Sequence, residues 1–125
     1  MSLLAGVFVA LAAALHVLFF VMESVVFMRP QVHSWFGVRA EEAGVVRPMA
    51  YNQGFYNLFL AIGAVAGIVL ASQGEETAGV AVASFACLVM LGAAAVLATT
   101  DRRFLVAAAI QGLPPLLALV LLATS

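Results

Sequence analysis

Four apolar stretches, at roughly 3 to 28, 49 to 72, 78 to 99 and 104 to 123, take up most of this chain. Each is near the ~20 residues that a helix needs to cross the hydrocarbon core of a bilayer. With 66% hydrophobic and 9% charged residues, the sequence cannot cover an ordinary globule with polar surface, so its solvent must largely be lipid. The connections are short and carry helix-breaking or turn residues. Arg29-Pro30 closes the first stretch, Arg47-Pro48 opens the second, Gln73-Gly74-Glu75-Glu76-Thr77 precedes the third and Thr100-Asp101-Arg102-Arg103 the fourth. The expected fold is therefore all-α, a four-helix transmembrane bundle forming a single integral membrane domain over residues 1-125.

The first stretch reads as a mature span. No basic residue precedes it, it is about twice the length of a signal-peptide core, and it contains a His and a Glu. All five basic residues, Arg29, Arg39, Arg47, Arg102 and Arg103, fall in the first and third connections. By the positive-inside rule those connections face the cytoplasm and both termini lie on the outer side. Glu41-Glu42 and Glu75-Glu76 are solvated loop charges, Trp35 and Phe36 are interface anchors, and a short surface helix around 39 to 47 is an option. The single cysteine, Cys87, excludes an internal disulfide and any multi-thiolate metal site. No phosphate loop, dinucleotide fingerprint or nucleic-acid patch is present, and no cofactor or metal is expected.

An ionisable side chain in hydrocarbon is costly and by default marks a functional site. His16 and Glu23, seven residues apart on the first span, project from nearly one stripe of the helix. The second span opens on Tyr51-Asn52-Gln53-Gly54-Phe55-Tyr56-Asn57. On a helix Asn52 and Tyr56 share one face and Gln53 and Asn57 the adjacent one, an arc that lipid would not tolerate and that must look into the bundle. The fourth span adds Gln111, ahead of Gly112 and Pro114-Pro115, whose missing amide donors can leave the carbonyls of Ile110 and Gln111 as acceptors at a kink. Counting ~1.5 Å per residue from the arginines puts Glu23 ~9 Å deep, Asn52 and Gln53 ~8 to 9 Å, Gln111 ~12 Å, Tyr56 and Asn57 ~14 to 15 Å and His16 ~20 Å. Three helices thus bring polar groups to one pocket in the cytoplasmic half, with His16 as its floor. The rise of ~10.5 Å between Glu23 and His16 excludes a direct ion pair. Gly63 and Gly67, near the Asn52/Tyr56 face, and Ala108 with Gly112 let helices approach closely, within the bundle or in a homo-oligomer.

Leu15-His16-Val17-Leu18-Phe19-Phe20-Val21-Met22-Glu23, Tyr51-Asn52-Gln53-Gly54-Phe55-Tyr56-Asn57-Leu58-Phe59-Leu60-Ala61 and Gln111-Gly112-Leu113-Pro114-Pro115-Leu116-Leu117-Ala118-Leu119 resemble the signatures of a small bacterial membrane family, the domain of unknown function numbered thirteen hundred and four. The resemblance implies a four-span, multi-pass protein of the bacterial inner membrane and brings no activity with it.

The residues themselves point to acid/base chemistry, of isomerase or cyclase type, on an apolar, lipid- or terpenoid-like small molecule entering from the membrane. Glu23 and His16 would be proton donor and acceptor, with Asn52, Gln53, Tyr56, Asn57 and Gln111 orienting the substrate. A proton-coupled exporter using Glu23 and a non-catalytic protein that binds lipid or a partner are the alternatives.

Overall fold

A computed structural model describes all 125 residues and contains helices and turns only. Helix α1 spans Leu3–Phe20 and runs directly into a π-helical turn, Val21–Val25. A short α2 (Pro30–Trp35) follows, then α3 (Ala40–Ser72), α4 (Glu76–Thr100), a 3₁₀ turn (Arg102–Phe104) and α5 (Leu105–Thr124). Four segments, Leu3–Val25, Ala40–Ser72, Glu76–Thr100 and Arg102–Thr124, are long and apolar enough to cross a membrane.

The expected breaks at residues 73–77 and 100–103 are where the chain turns. Gly74, with φ of 94°, sits at the left-handed position of a Schellman closure, in which the Glu75 amide donates to the Leu70 carbonyl (3.0 Å) and the Gly74 amide to that of Ala71 (3.2 Å). At the other break the Asp101 carboxylate accepts from the Arg103 amide at 3.0 Å and pairs with the Arg103 Nε at 3.0 Å. The start of the second span differs from expectation. Pro48 does not open a helix but lies inside α3, so the optional surface helix at 39–47 and the span at 49–72 are one element of 33 residues. Glu41 and Glu42 sit in its first turn, where they complement the helix dipole, and Arg39 pairs with Glu42. The carbonyl that Pro48 deprives of its donor belongs to Gly44, which is exposed. The first span also stops short of residue 28, and Pro30, at the first position of α2, starts a helix absent from the sequence reading.

The chain forms two compact units. One comprises Met1–Leu15 and Leu60–Ser125, and within it parts of all four long helices share a core of Ala5, Val9 and Ala12 from α1, Ala61 and Ala64 from α3, Ala83, Cys87 and Met90 from α4, and Ala118 and Leu122 from α5. Small residues set its helix spacing. A Cβ added to Gly67 would lie 2.7 Å from the Ala83 amide nitrogen, and one on Gly79 2.5 Å from that of Ala71. One added to Gly112 would lie 2.9 Å from the Ala94 Cβ. Gly67 therefore serves packing within the chain, against α4. Pro114 and Pro115 are buried in α5, which continues through them.

The other unit, His16–Phe59, is a hairpin of the end of α1, the π turn, α2 and the start of α3. It is held by aromatic and polar contacts instead. Phe55 packs edge-on against Phe20 and Tyr51, each with ring centroids 5.1 Å apart. His33 is buried, its Nδ1 2.8 Å from the Val38 carbonyl oxygen, which ties α2 to the turn before α3.

Candidate functional site: a carboxyl on a π turn

The last turn of the first span is built around Val21, Val25 and Val26, β-branched residues that crowd an α-helix. It widens so that the Val26 amide donates to the Val21 carbonyl five residues back, at 3.0 Å. Such single π turns interrupt the regular register and are frequent at functional sites. Glu23 sits in its middle.

Two side-chain bonds fasten this turn to α3. Asn57 Nδ2 donates to Glu23 Oε1 at 2.6 Å, and Ser24 Oγ donates to the Tyr51 carbonyl at 2.7 Å. The second bond needs Gly54, since a Cβ there would run into the Ser24 hydroxyl. Asn57 is buried, so its amide is a fixed donor that holds one carboxyl oxygen. The protein gives Oε2 no hydrogen bond. Glu23, Ser24 and Tyr51, together with Arg29, Arg47 and the apolar run Val25–Met28, line a cleft of ≈ 530 Å³, a size typical of small-molecule sites. One held oxygen and one open oxygen on a cleft wall are what a carboxyl requires to pass a proton to a ligand.

The structure brings together part of the sequence-predicted set. Glu23 and Asn57 are bonded to each other. His16 is completely buried, its ring edge-on to Phe19 at 5.5 Å, and is not part of the cleft lining. Asn52, Gln53 and Tyr56 are exposed, Tyr56 by 57%, and do not line the cleft. The expectation that this whole arc faces inward is thus corrected: the buried stripe of α3 runs through Ala50, Gly54, Asn57, Ala61, Ala64 and Gly67, which leaves room on the inner face for one amide. That stripe also passes through Asn57, not along the Asn52/Tyr56 face. Gln111 is half-buried in the unit built on residues 60–125 and is not part of the lining.

Sequence reasoning missed Ser24, Tyr51, Arg29 and Arg47. The arginines were read only as markers of orientation, although each precedes a proline at one edge of the same connection. Ser24 had a signal in its place beside Glu23, and Tyr51 in its place at the head of the polar block.

A family model described as "Protein of unknown function (DUF1304)" matches residues 10–123. No curated protein and no solved structure matches the chain.

Proposed function

The chain belongs to the DUF1304 family, and from its own residues we propose that it is a membrane-embedded acid/base enzyme of isomerase or cyclase type, acting on an apolar, terpenoid-like substrate that reaches the cleft from the lipid. The observation that carries this reading is the Glu23 carboxyl, gripped at Oε1 by Asn57 and lining a cleft with its other oxygen unclaimed. In a 1,3-shift the carboxylic acid gives a proton to one carbon of the double bond, the double bond moves, and the resulting carboxylate takes a proton from the far carbon. The enzyme ends as it began, and no redox partner is consumed. One group performs both transfers, so the reading narrows from the His16–Glu23 pair to Glu23, with Asn57 positioning it. The concentration of arginines around the first connection favours placing the cleft at the cytoplasmic face of a bacterial inner membrane.

An isotope-transfer test works with the substrate still unidentified. Membranes containing the protein are incubated with a total lipid extract, apolar and phosphorylated lipids included, in D₂O and analysed by mass spectrometry. The wild-type protein is expected to place deuterium at a carbon position of one lipid species, and Glu23→Gln to remove that label. Label that persists in Glu23→Gln membranes, or a wild-type protein that labels nothing, overturns the proposal. An exporter would instead move protons across proteoliposomes in a Glu23-dependent way and leave carbon unlabelled.

A further inference from the structure

The five arginines of this chain are not in equivalent surroundings. Arg39 pairs with Glu42 and Arg103 with Asp101. Arg29 and Arg47 form no ion pair, although they line the same cleft, and Glu23, the one carboxylate on its wall, bonds to Asn57 instead. Both arginines are exposed to solvent, and two guanidinium groups lining one cleft with no protein anion beside them are free to take an external anion. Each offers a planar fork that matches the oxygens of a phosphate group in a bidentate way. The rest of the lining is not that of a site for a free ion. Val25, Val26 and Met28 supply an apolar wall that continues from the membrane-spanning segment, and Trp35, 45% exposed on α2, is of the type that marks the interface where lipid head groups lie.

We propose that the cleft binds an amphiphile by its phosphate-ester head group, with Arg29 and Arg47 on the phosphate oxygens and the first carbons of the chain against Val25, Val26 and Met28. This deepens the preceding reading and rests on it in one respect: the Glu23 carboxyl, on the same wall, then faces carbons close to the head group. The substrate class becomes a phosphorylated lipid.

The binding step is tested without turnover, by native mass spectrometry of the full chain released from detergent micelles. Dioleoyl phosphatidic acid, dioleoylglycerol and inorganic phosphate are titrated in separate arms. One phosphatidic acid per chain is expected to be retained, and dioleoylglycerol, which lacks the phosphate, is not. Inorganic phosphate at the concentration of the lipid is expected to leave the complex intact; its displacing the lipid assigns the site to a soluble anion and overturns the amphiphile. Arg29→Gln and Arg47→Gln should each weaken retention at least about tenfold, the order expected for one charge-assisted pair. Arg47→Lys keeps the charge and guards against misfolding; it should also weaken retention, because a point charge lacks the fork. Arg102→Gln is the control, an arginine exposed and without an ion pair like the other two, but outside the cleft lining. Equal losses for Arg102→Gln and Arg47→Gln would mean bulk attraction to lipid and sink the proposal. Glu23→Gln should keep the lipid while losing deuterium transfer, whereas a wild-type chain that binds the lipid without labelling it breaks the enzymatic reading alone.

Discussion

The two halves of α1 belong to different kinds of protein interior. Residues 3–15 enter a core in which alanine, valine and glycine bring helices close together, and the unit that contains it has no buried polar side chain. Residues 16–25 bring His16, Glu23 and Ser24 into a hairpin held by rings and by hydrogen bonds from Asn57 and Ser24. In lipid, helix association draws on tight packing and on hydrogen bonds rather than on a hydrophobic force between helices. This chain relies mainly on packing in one unit, where the Met1 amino group also pairs with Glu76, and on rings and hydrogen bonds in the other. The contrast teaches where chemistry can be housed. The cleft that Glu23 lines lies in the aromatic hairpin, where hydrogen bonds and rings rather than small residues set the spacing of the helices.

If that division is real, substitutions should sort by unit. The largest effect is expected from Gly79→Val, whose new side chain meets the backbone of Ala71 and Gly67. Backbone cannot yield as a side-chain tip can, so the loss should reach or exceed the ~1–3 kcal/mol of a typical overpacked core. Thermal unfolding in detergent should show it, and deuterium transfer should fall only in proportion to the folded fraction. Glu23→Gln should do the reverse, lowering deuterium transfer by roughly 10² or more while leaving the unfolding temperature nearly unchanged, because a Gln side-chain oxygen still accepts from Asn57. A Glu23→Gln protein that melts like Gly79→Val would erase the contrast.

Asn57→Leu should fall between the two. It removes the donor to Glu23 at a cost of about 0.6 to 2 kcal/mol in membrane stability and leaves the carboxyl unpositioned, so both readouts should move together. The smallest effect belongs to Tyr56→Phe and Asn52→Ala, both on exposed positions, which should change the unfolding free energy by less than ~0.5 kcal/mol. A loss of deuterium transfer in either would return the outer arc of α3 to the site.

How far the sequence discloses this division depends on which signal each feature leaves. The number of long apolar helices and the two later turns were legible because apolar run length and Gly-Glu-Glu or Thr-Asp-Arg breaks report directly on segments long enough to cross a membrane. Glu23 and Asn57 were legible as polar groups in the wrong solvent. Which of the amides in 52–57 turns inward was not legible from polarity, since helical spacing says what shares a face and not which face is buried. The buried small residues show the answer only once the fold is known: Ala50, Gly54, Ala61, Ala64 and Gly67 line the inner face, and Asn57, three residues after Gly54 and four before Ala61, is the one amide buried among them. Pro48 misled because proline is read as a boundary, whereas a helix can lose one amide bond at an exposed carbonyl and continue. The π turn left no trace, because the valines that crowd it also serve as ordinary membrane-helix residues.

That turn makes the site unusually sensitive to a change of chain length. Deleting Val21 would let an ordinary α-helix close over the same stretch, with composition and span length almost untouched. The residues beyond the turn would keep their register, because an α turn replaces a π turn of one residue more, but Glu23 and Ser24 inside it would be re-aimed around the helix axis, carrying the carboxyl off its amide and the serine off its carbonyl. A single-codon loss there should therefore disable the protein more thoroughly than most substitutions in the cleft, and among relatives the count of residues in this turn is a sharper mark of shared chemistry than the identity of any one of its valines.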